Sequence, residues 1–215
     1  METMQSTTEV NQYGSLVSLQ GYQVYEYQLV LVLPEALKEK LRKVKLQFAE
    51  QFDMPSAKSS AIMLPLVKFK QRQLLEQKLR HSLQQLIMGW QPFPVNLKGF
   101  ASQPSHSIYI PVTSKNHLQQ CTKSLKTIQH FLRPDKDQAA FFPGEHQVIV
   151  ASRLKPGIYD KAWKQYAAKQ FTAQFMAEAA LLLKRRPGEL HWQIAQRFEF
   201  RNLPVGIRQA SLFEA

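Results

Sequence analysis

Two short apolar runs limit what this chain can fold into. Gly144–Leu154 reads Gly-Glu-His-Gln-Val-Ile-Val-Ala-Ser-Arg-Leu, entered through Phe142-Pro143-Gly144 and left through Lys155-Pro156-Gly157. A Val/Ile run punctuated at both ends by proline and glycine reads as a buried strand. Ser59–Phe69 has a similar shape, with Ile62-Met63-Leu64 and Leu66-Val67 at its centre. Each run has small or polar residues at its entrance and a cation at its exit. Two such strands can face each other across a cleft, and what stands at their mouths decides the chemistry.

The rest of the pattern surrounds these strands with helices and hairpins. Residues 1–21 are rich in Ser, Thr, Gln and Asn and read as an irregular leader. From Tyr22 to Leu33 the alternation predicts a strand, after which Pro34 opens a helix over Glu35–Phe52 with Leu37, Leu41, Val44 and Phe48 on one face. A second helix is predicted over Gln71–Met88. Pro92–Phe100 and Ser107–Val112 read as strands turning at Gln103-Pro104-Ser105. A third helix, Lys115–Leu132, buries Leu118, Cys121, Leu125 and Ile128, while its His117 and His130 are expected at the surface. Tyr159–Phe171 predicts a fourth helix. Phe175–Arg186 and His191–Phe200 predict a hairpin turning at Arg186-Pro187-Gly188-Glu189, with Trp192, Ile194, Phe198 and Phe200 pointing one way. Helices interleaved with many hairpins indicate an α+β fold with largely antiparallel sheet.

At 215 residues and 44% hydrophobic content, the chain suits one sizeable domain or two small lobes sharing a core. No apolar run approaches the roughly 20 residues that span a bilayer, and Met1–Gln5 has no signal-peptide character. A cytoplasmic location and no membrane partner are therefore expected. The single cysteine, Cys121, excludes an intrachain disulfide, and with sparse histidines no metal site or cofactor is expected. The 28 Lys and Arg outnumber 16 Asp and Glu for a formal charge of +12, which favours polyanionic partners through the summed field.

Pro92–Phe100 before Ser107–Val112, together with the closing hairpin Ala180–Arg186 to Trp192-Gln193-Ile194, is similar to the 2H phosphoesterase superfamily, especially its bacterial 2'-5' RNA ligase-like branch. The resemblance runs from about Tyr22 to Phe200. It implies a single bilobal α+β domain over 22–200, in which two pseudo-symmetric sheets enclose a central cleft with helices outside, followed by a C-terminal tail over 201–215. Active members carry one His-x-Thr/Ser-x motif per lobe and cleave or form 2',3'-cyclic or 2'-5' phosphodiesters without metal. Two imidazoles on opposite sides of phosphorus exchange acid and base roles near neutral pH. A hydroxyl two residues along the strand points the same way and donates to a phosphate oxygen.

Here the motif register falls on Ser60 and Ile62 in the first strand and on Gln147 and Ile149 in the second. None of these four can supply the paired proton transfers. The resemblance then implies a protein that binds RNA, a nucleotide or another phosphodiester without conventional two-histidine catalysis. A shift of one residue would instead make His146 the motif histidine of a working cyclic phosphodiesterase or RNA ligase-like enzyme, at the cost of a bulge. Lys58, Lys68, Lys70 and Arg72 flank the first strand, Arg153 and Lys155 leave the second, and Tyr25 or Tyr27 can stack a base. Gln209-Ala210-Ser211-Leu212-Phe213 resembles the short peptide with which bacterial proteins engage the DNA sliding clamp, Leu212 and Phe213 serving as anchors and Gln209 as a polar contact.

Overall fold

The computed structural model describes residues 21–135 and 138–203. Almost all of the leader, and the peptide Gln209–Phe213, lie outside them. The chain opens with β1 (Val24–Leu31), whose Tyr27, Leu29 and Leu31 turn to one face and are buried. Pro34 then starts α1 (Glu35–Gln51), because its fixed φ suits the first turn and its missing N–H costs nothing there. Leu37, Leu41 and Phe48 form the buried stripe of α1, and the Phe48 ring packs 4.8 Å from Phe52 and 5.2 Å from Tyr166 of a later helix.

The apolar run expected as a strand over Ser59–Phe69 divides in two. Pro55 opens a short helix, α2 (Pro55–Ser59), and the strand β2 begins only at Pro65 and continues to Arg72. Consequently the helix expected from Gln71 starts later, as α3 (Glu76–Met88). Next come β3 (Phe93–Lys98), β4 (Ala101–Gln103), β5 (Ser107–Pro111), α4 (Lys115–Thr127), β6 (Gln147–Ser152) and α5 (Pro156–Tyr166). The predicted arm Phe175–Arg186 is two strands, β7 (Thr172–Ala177) and β8 (Ala179–Arg185), and β9 (Gln193–Glu199) follows them.

Glu178 is the point at which the chain leaves one sheet for another, flanked by buried Ala177 and Ala179. One sheet has the order β2-β1-β8-β9, all antiparallel. In the other half β7 pairs with β3, β4 with β5 and β5 with β6, and a bridge between Leu97 and Val112 links the two groups. The turn between β8 and β9 places Pro187 and Gly188 at its centre. Gly188 has φ +86° and the Glu189 N–H donates to the Arg186 carbonyl at 3.1 Å, the geometry of a turn that needs glycine third.

Two halves of the chain repeat one plan. In the first, β1, α1, β2 and α3 come in this order, with the short α2 before β2; in the second, β5, α4, β6 and α5 do so. In each, the first helix crosses over: α1 packs near β6, and α4 packs near β2. The exchange knits the lobes into one core, to which each of the helices α1 to α5 contributes buried side chains. Gln71 is fully buried, and its amide donates to the carbonyls of Phe131 and Arg133 at 2.9 Å each, pinning the segment after α4 against β2. The Cys121 thiol is buried on α4, and burial pushes its pKa up to about 12, so it packs as an apolar group.

One irregularity changes which residues face the cleft. Leu182 pairs with Gln196 but Leu183 pairs with Ile194, leaving Ala195 as a bulge. A single extra residue reverses the facing of everything before it. Phe198 is therefore buried opposite Ala180, whereas Ile194 sits exposed opposite Leu183. The expectation that Trp192, Ile194, Phe198 and Phe200 share a face is corrected by that bulge.

Candidate functional site

The ladder of the first sheet sets which side chains share the face beneath the pocket. Gln28 lies opposite Lys68 on one side and Leu183 on the other, and Glu26 lies opposite Lys70 and Arg185. Directly opposed residues share a face, so this face carries Lys68, Lys70, Arg185, Glu26 and the almost buried Gln28. A pocket of about 550 Å³ covers it, with Trp192 at its far wall. The Arg185 guanidinium lies 4.4 Å over the Trp192 ring and is paired with Glu26 at 2.7 Å. This clamp holds the indole in place from one side.

Through Gln28 and Lys68 the pocket continues into a second, of about 240 Å³, between the two halves of the chain. Met63, Pro65, Gln147 and Ile149 line it. Their placement follows from a shared feature of β2 and β6: each has a bulge. In β2 the ladder passes from Val67 to Pro65, skipping Leu66; in β6 it passes from Ala151 to Ile149, skipping Val150. Counted back from the bulge, Pro65 corresponds to Ile149 and Met63 to Gln147. None of these four side chains titrates near neutral pH.

Ser60 and Ile62 do not stand in this groove. They belong to the loop between α2 and β2 and line a separate cavity against α1. The structure thus does not bring Ser60 and Gln147 together. The sequence register misses Met63 and Pro65 because the helical turn of α2 consumes the residues read as the first part of the strand.

His146 lines the groove as well, and the one-residue irregularity that its register calls for is present in β6, at Val150. It precedes β6, so the alternation of the strand does not dictate its direction. Its ring is half-buried, and Nδ1 lies 3.0 Å from the Pro65 carbonyl. A carbonyl only accepts, so Nδ1 carries the proton and Nε2 keeps its lone pair. Burial lowers the pKa of the imidazole, outweighing the opposing pull of the Pro65 carbonyl. Glu145 beside it is paired with Lys115 at 2.8 Å.

Phe141 completes the wall. Its backbone exchanges two hydrogen bonds with Lys68, of 2.9 and 2.7 Å, yet its ring is 61% exposed. An exposed aromatic fixed by its backbone beside a lysine is a ready stacking platform. Phe141, Arg185 and Trp192 carry no local sequence signal as site residues: the Phe141–Lys68 bridge, the pairing of β8 with β1 and the bulge in β9 put them there.

The other expected ligand residues scatter. Tyr27 is buried on the opposite face of its sheet, stacked 5.4 Å from Phe69, with its hydroxyl donating to Glu76 at 3.0 Å. Tyr25 shares that face, with Lys184 over its ring. Neither offers a base to the groove. Arg72 is paired with Asp135 at 2.8 Å. Arg153 and Lys155 follow the far end of β6, about six residues and hence roughly 20 Å from Gln147. Lys58 lines the cavity against α1. Of the remaining histidines, His117 stacks on Phe93 at 5.3 Å, and the His130 ring is tilted against Phe131 at 4.0 Å. Among the described residues there is no cluster of metal-ligating side chains, and no helix is long and apolar enough to cross a membrane.

Two lobes, antiparallel sheets facing inward over a groove and helices outside define the LigT-like 2H phosphoesterase fold, and this chain has it. Escherichia coli LigT complexed with 3'-AMP superposes with a TM-score of 0.57 at 11% identity, over 83% of this chain and 99% of that one. The complex of the same protein with NADP+ gives 0.52 at 13% identity, over 83% and 99%. The TT0787 protein of Thermus thermophilus gives 0.53 at 14% identity, over 82% and 98%. Neither a family model nor a curated protein matches the sequence.

Proposed function

We propose that this protein binds a nucleotide or an RNA phosphodiester in the groove and lacks conventional two-histidine catalysis. The observation that carries the reading is the set of side chains at the two strand mouths. Met63 and Gln147 occupy equivalent places, as do Pro65 and Ile149, and on this reading they take the positions that paired imidazoles and hydroxyls hold in active members. Without an acid and a base on opposite sides of phosphorus, in-line transfer loses its proton relay, a loss of roughly 10²- to 10⁴-fold for each catalytic group.

Binding needs less. Lys68 and Lys70 supply positive charge along one wall, and Phe141 and Trp192 provide aromatic surface at the two ends. The nucleotides seen in LigT complexes, 3'-AMP and NADP+, belong to that protein, but they are ligands of the chemistry this groove suits. A second reading has one observation in its favour: His146 lines the groove with Nδ1 held by the Pro65 carbonyl, which leaves Nε2 as the ring's free lone pair for service as a lone base. Incubation of purified protein with nucleoside 2',3'-cyclic phosphates and with labelled RNA separates the two. Saturable RNA or nucleotide binding without turnover supports the first. Turnover abolished by His146→Ala establishes the second.

A further inference from the structure

The most unusual charged side chain lies outside the groove. Lys45, on α1, is 2% exposed, yet forms no ion pair with any acid among the described residues. Its ammonium donates to the Ser60 carbonyl at 2.6 Å and to the Ser60 hydroxyl, which in turn donates to the Ala57 carbonyl at 3.0 Å. An ammonium has three N–H donors, and these contacts use two. Burying a cation without an anion is costly. Burial accordingly lowers its pKa to about 8.

Around Lys45 the protein gathers more cations. A cavity of about 520 Å³ between α1 and the Ser60–Ile62 loop is lined by Lys45, Ser60, Lys38, Arg42, Lys43 and Lys58. Among the described residues the only carboxylate lining it is Glu39, which is paired with Arg42; Glu35 holds Lys38 and Arg42 from outside the cavity. Lys43 and Lys58 have no such partner among the described residues. The arrangement is an excess of positive charge with a buried cation at its base and a hydroxyl beside it, in a space large enough for a phosphate with its attached group.

We propose that the cavity beneath α1 is a phosphate-binding site, with Lys45 and Ser60 at its floor and Lys43 and Lys58 at its rim. The site is distinct from the groove, so it stands whether or not the reading of the groove holds. Ala61 lines both spaces. A phosphate can therefore arrive free, as an inorganic ion or a monoester, or as part of a strand whose neighbouring nucleotide lies in the groove.

The test follows the backbone amide signals of Ser60 and Ala61 by NMR while the full chain is titrated with inorganic phosphate, and separately with RNA oligonucleotides about two to eight nucleotides long. Saturable shifts with phosphate alone assign the site to a free anion; shifts only with oligonucleotides assign it to a strand. In either case Lys45→Met is expected to weaken the response at least tenfold, and Lys43→Ala with Lys58→Ala about threefold to tenfold. The rim variants are at exposed positions and keep the test decisive if Lys45→Met fails to fold. Replacing Lys68 and Lys70 by alanine weakens groove binding but leaves the response to inorganic phosphate intact. Unmoved Ser60 and Ala61 signals with both ligands, or equal responses in wild type and all Lys45, Lys43 and Lys58 variants, overturn the proposal.

Discussion

The imidazole of His146 is tied to the backbone of the opposite lobe, its Nδ1 lying 3.0 Å from the carbonyl oxygen of Pro65. This single bond spans the two strand mouths and fixes the tautomer of the histidine that lines the groove. It also makes the ring a structural link between lobes, so its protonation reaches beyond any role with a ligand.

The first prediction concerns acid. Burial lowers the folded-state pKa of His146 below the ordinary imidazole value near 6.5. As pH falls through 6.5 the unfolded chain takes a proton that the folded chain refuses, so stability is lost in that window and is fully present above it. His146→Gln is expected to flatten this dependence while costing about 1 kcal/mol at about pH 7.5 for the lost hydrogen bond. Denaturant unfolding at about pH 5 and about pH 7.5 measures both.

Lys45 predicts the opposite end of the scale. Its folded pKa of about 8 lies below the ordinary lysine value, so between pH 8 and about 10 the unfolded chain holds more protons and stability rises with pH. The rise attributable to this group is up to about 3 kcal/mol. The buried Tyr27 and Tyr166 hydroxyls, whose pKa values are raised by burial, oppose it above about pH 10. The difference between wild type and Lys45→Met, followed by thermal unfolding from about pH 7 to 10, isolates the lysine: the stability of wild type relative to the variant rises with pH.

Groove binding has a salt signature. Each of Lys68 and Lys70 that contacts a phosphate of single-stranded RNA releases counterions, adding roughly 0.7 to the slope of log affinity against log salt. Lys68→Ala and Lys70→Ala are each expected to reduce the slope by about that amount. Fluorescence anisotropy from about 50 to 300 mM salt measures it, and a slope indifferent to salt would mean that neither lysine contacts phosphate.

Phe141 and Trp192 are predicted to stack bases. Phe141→Ala and Trp192→Ala should each weaken RNA binding by about 1–3 kcal/mol, with little change in the salt slope, because stacking releases no counterions. Phe141→Tyr should retain most of the affinity. Uniform affinity across wild type and all three variants would place the bases elsewhere.

The far face of the same sheet carries a structural test. Glu76 accepts from the Tyr27 hydroxyl and from Lys184, both at 3.0 Å, while largely buried. Tyr27→Phe should cost about 1 kcal/mol, and Glu76→Ala about 2–3 kcal/mol because it strands both donors. Denaturant unfolding reads both costs. RNA binding should be unchanged in both, since neither side chain points into the groove.

Much of this molecule was legible from one-dimensional pattern. Buried stripes such as Leu118, Cys121 and Leu125 on α4, and the Pro187-Gly188 turn, follow from local rules: helical spacing and the backbone freedom of glycine. The α+β class and the two-lobed plan followed from the alternation of helices with hairpins and from resemblance. The site was less legible. Sequence spacing led to Ser60 and Ile62 because it cannot tell a helical turn at Pro55–Ser59 from the start of a strand.

By itself, then, the order of residues determined most of the helices and strands, the positive charge, and the presence of Gln147 and Ile149 in the second strand. Tertiary structure decided who stands opposite them. Bulges at Leu66, Val150 and Ala195 set the facing of every neighbouring side chain, bringing Met63 and Pro65 into the groove and Trp192 over Arg185. The crossing of α1 to the far lobe placed Lys45 beneath a cluster of cations. A bulge is a choice between ladders that differ by one residue, and only the packing of whole sheets against helices supplies the free energy that makes it.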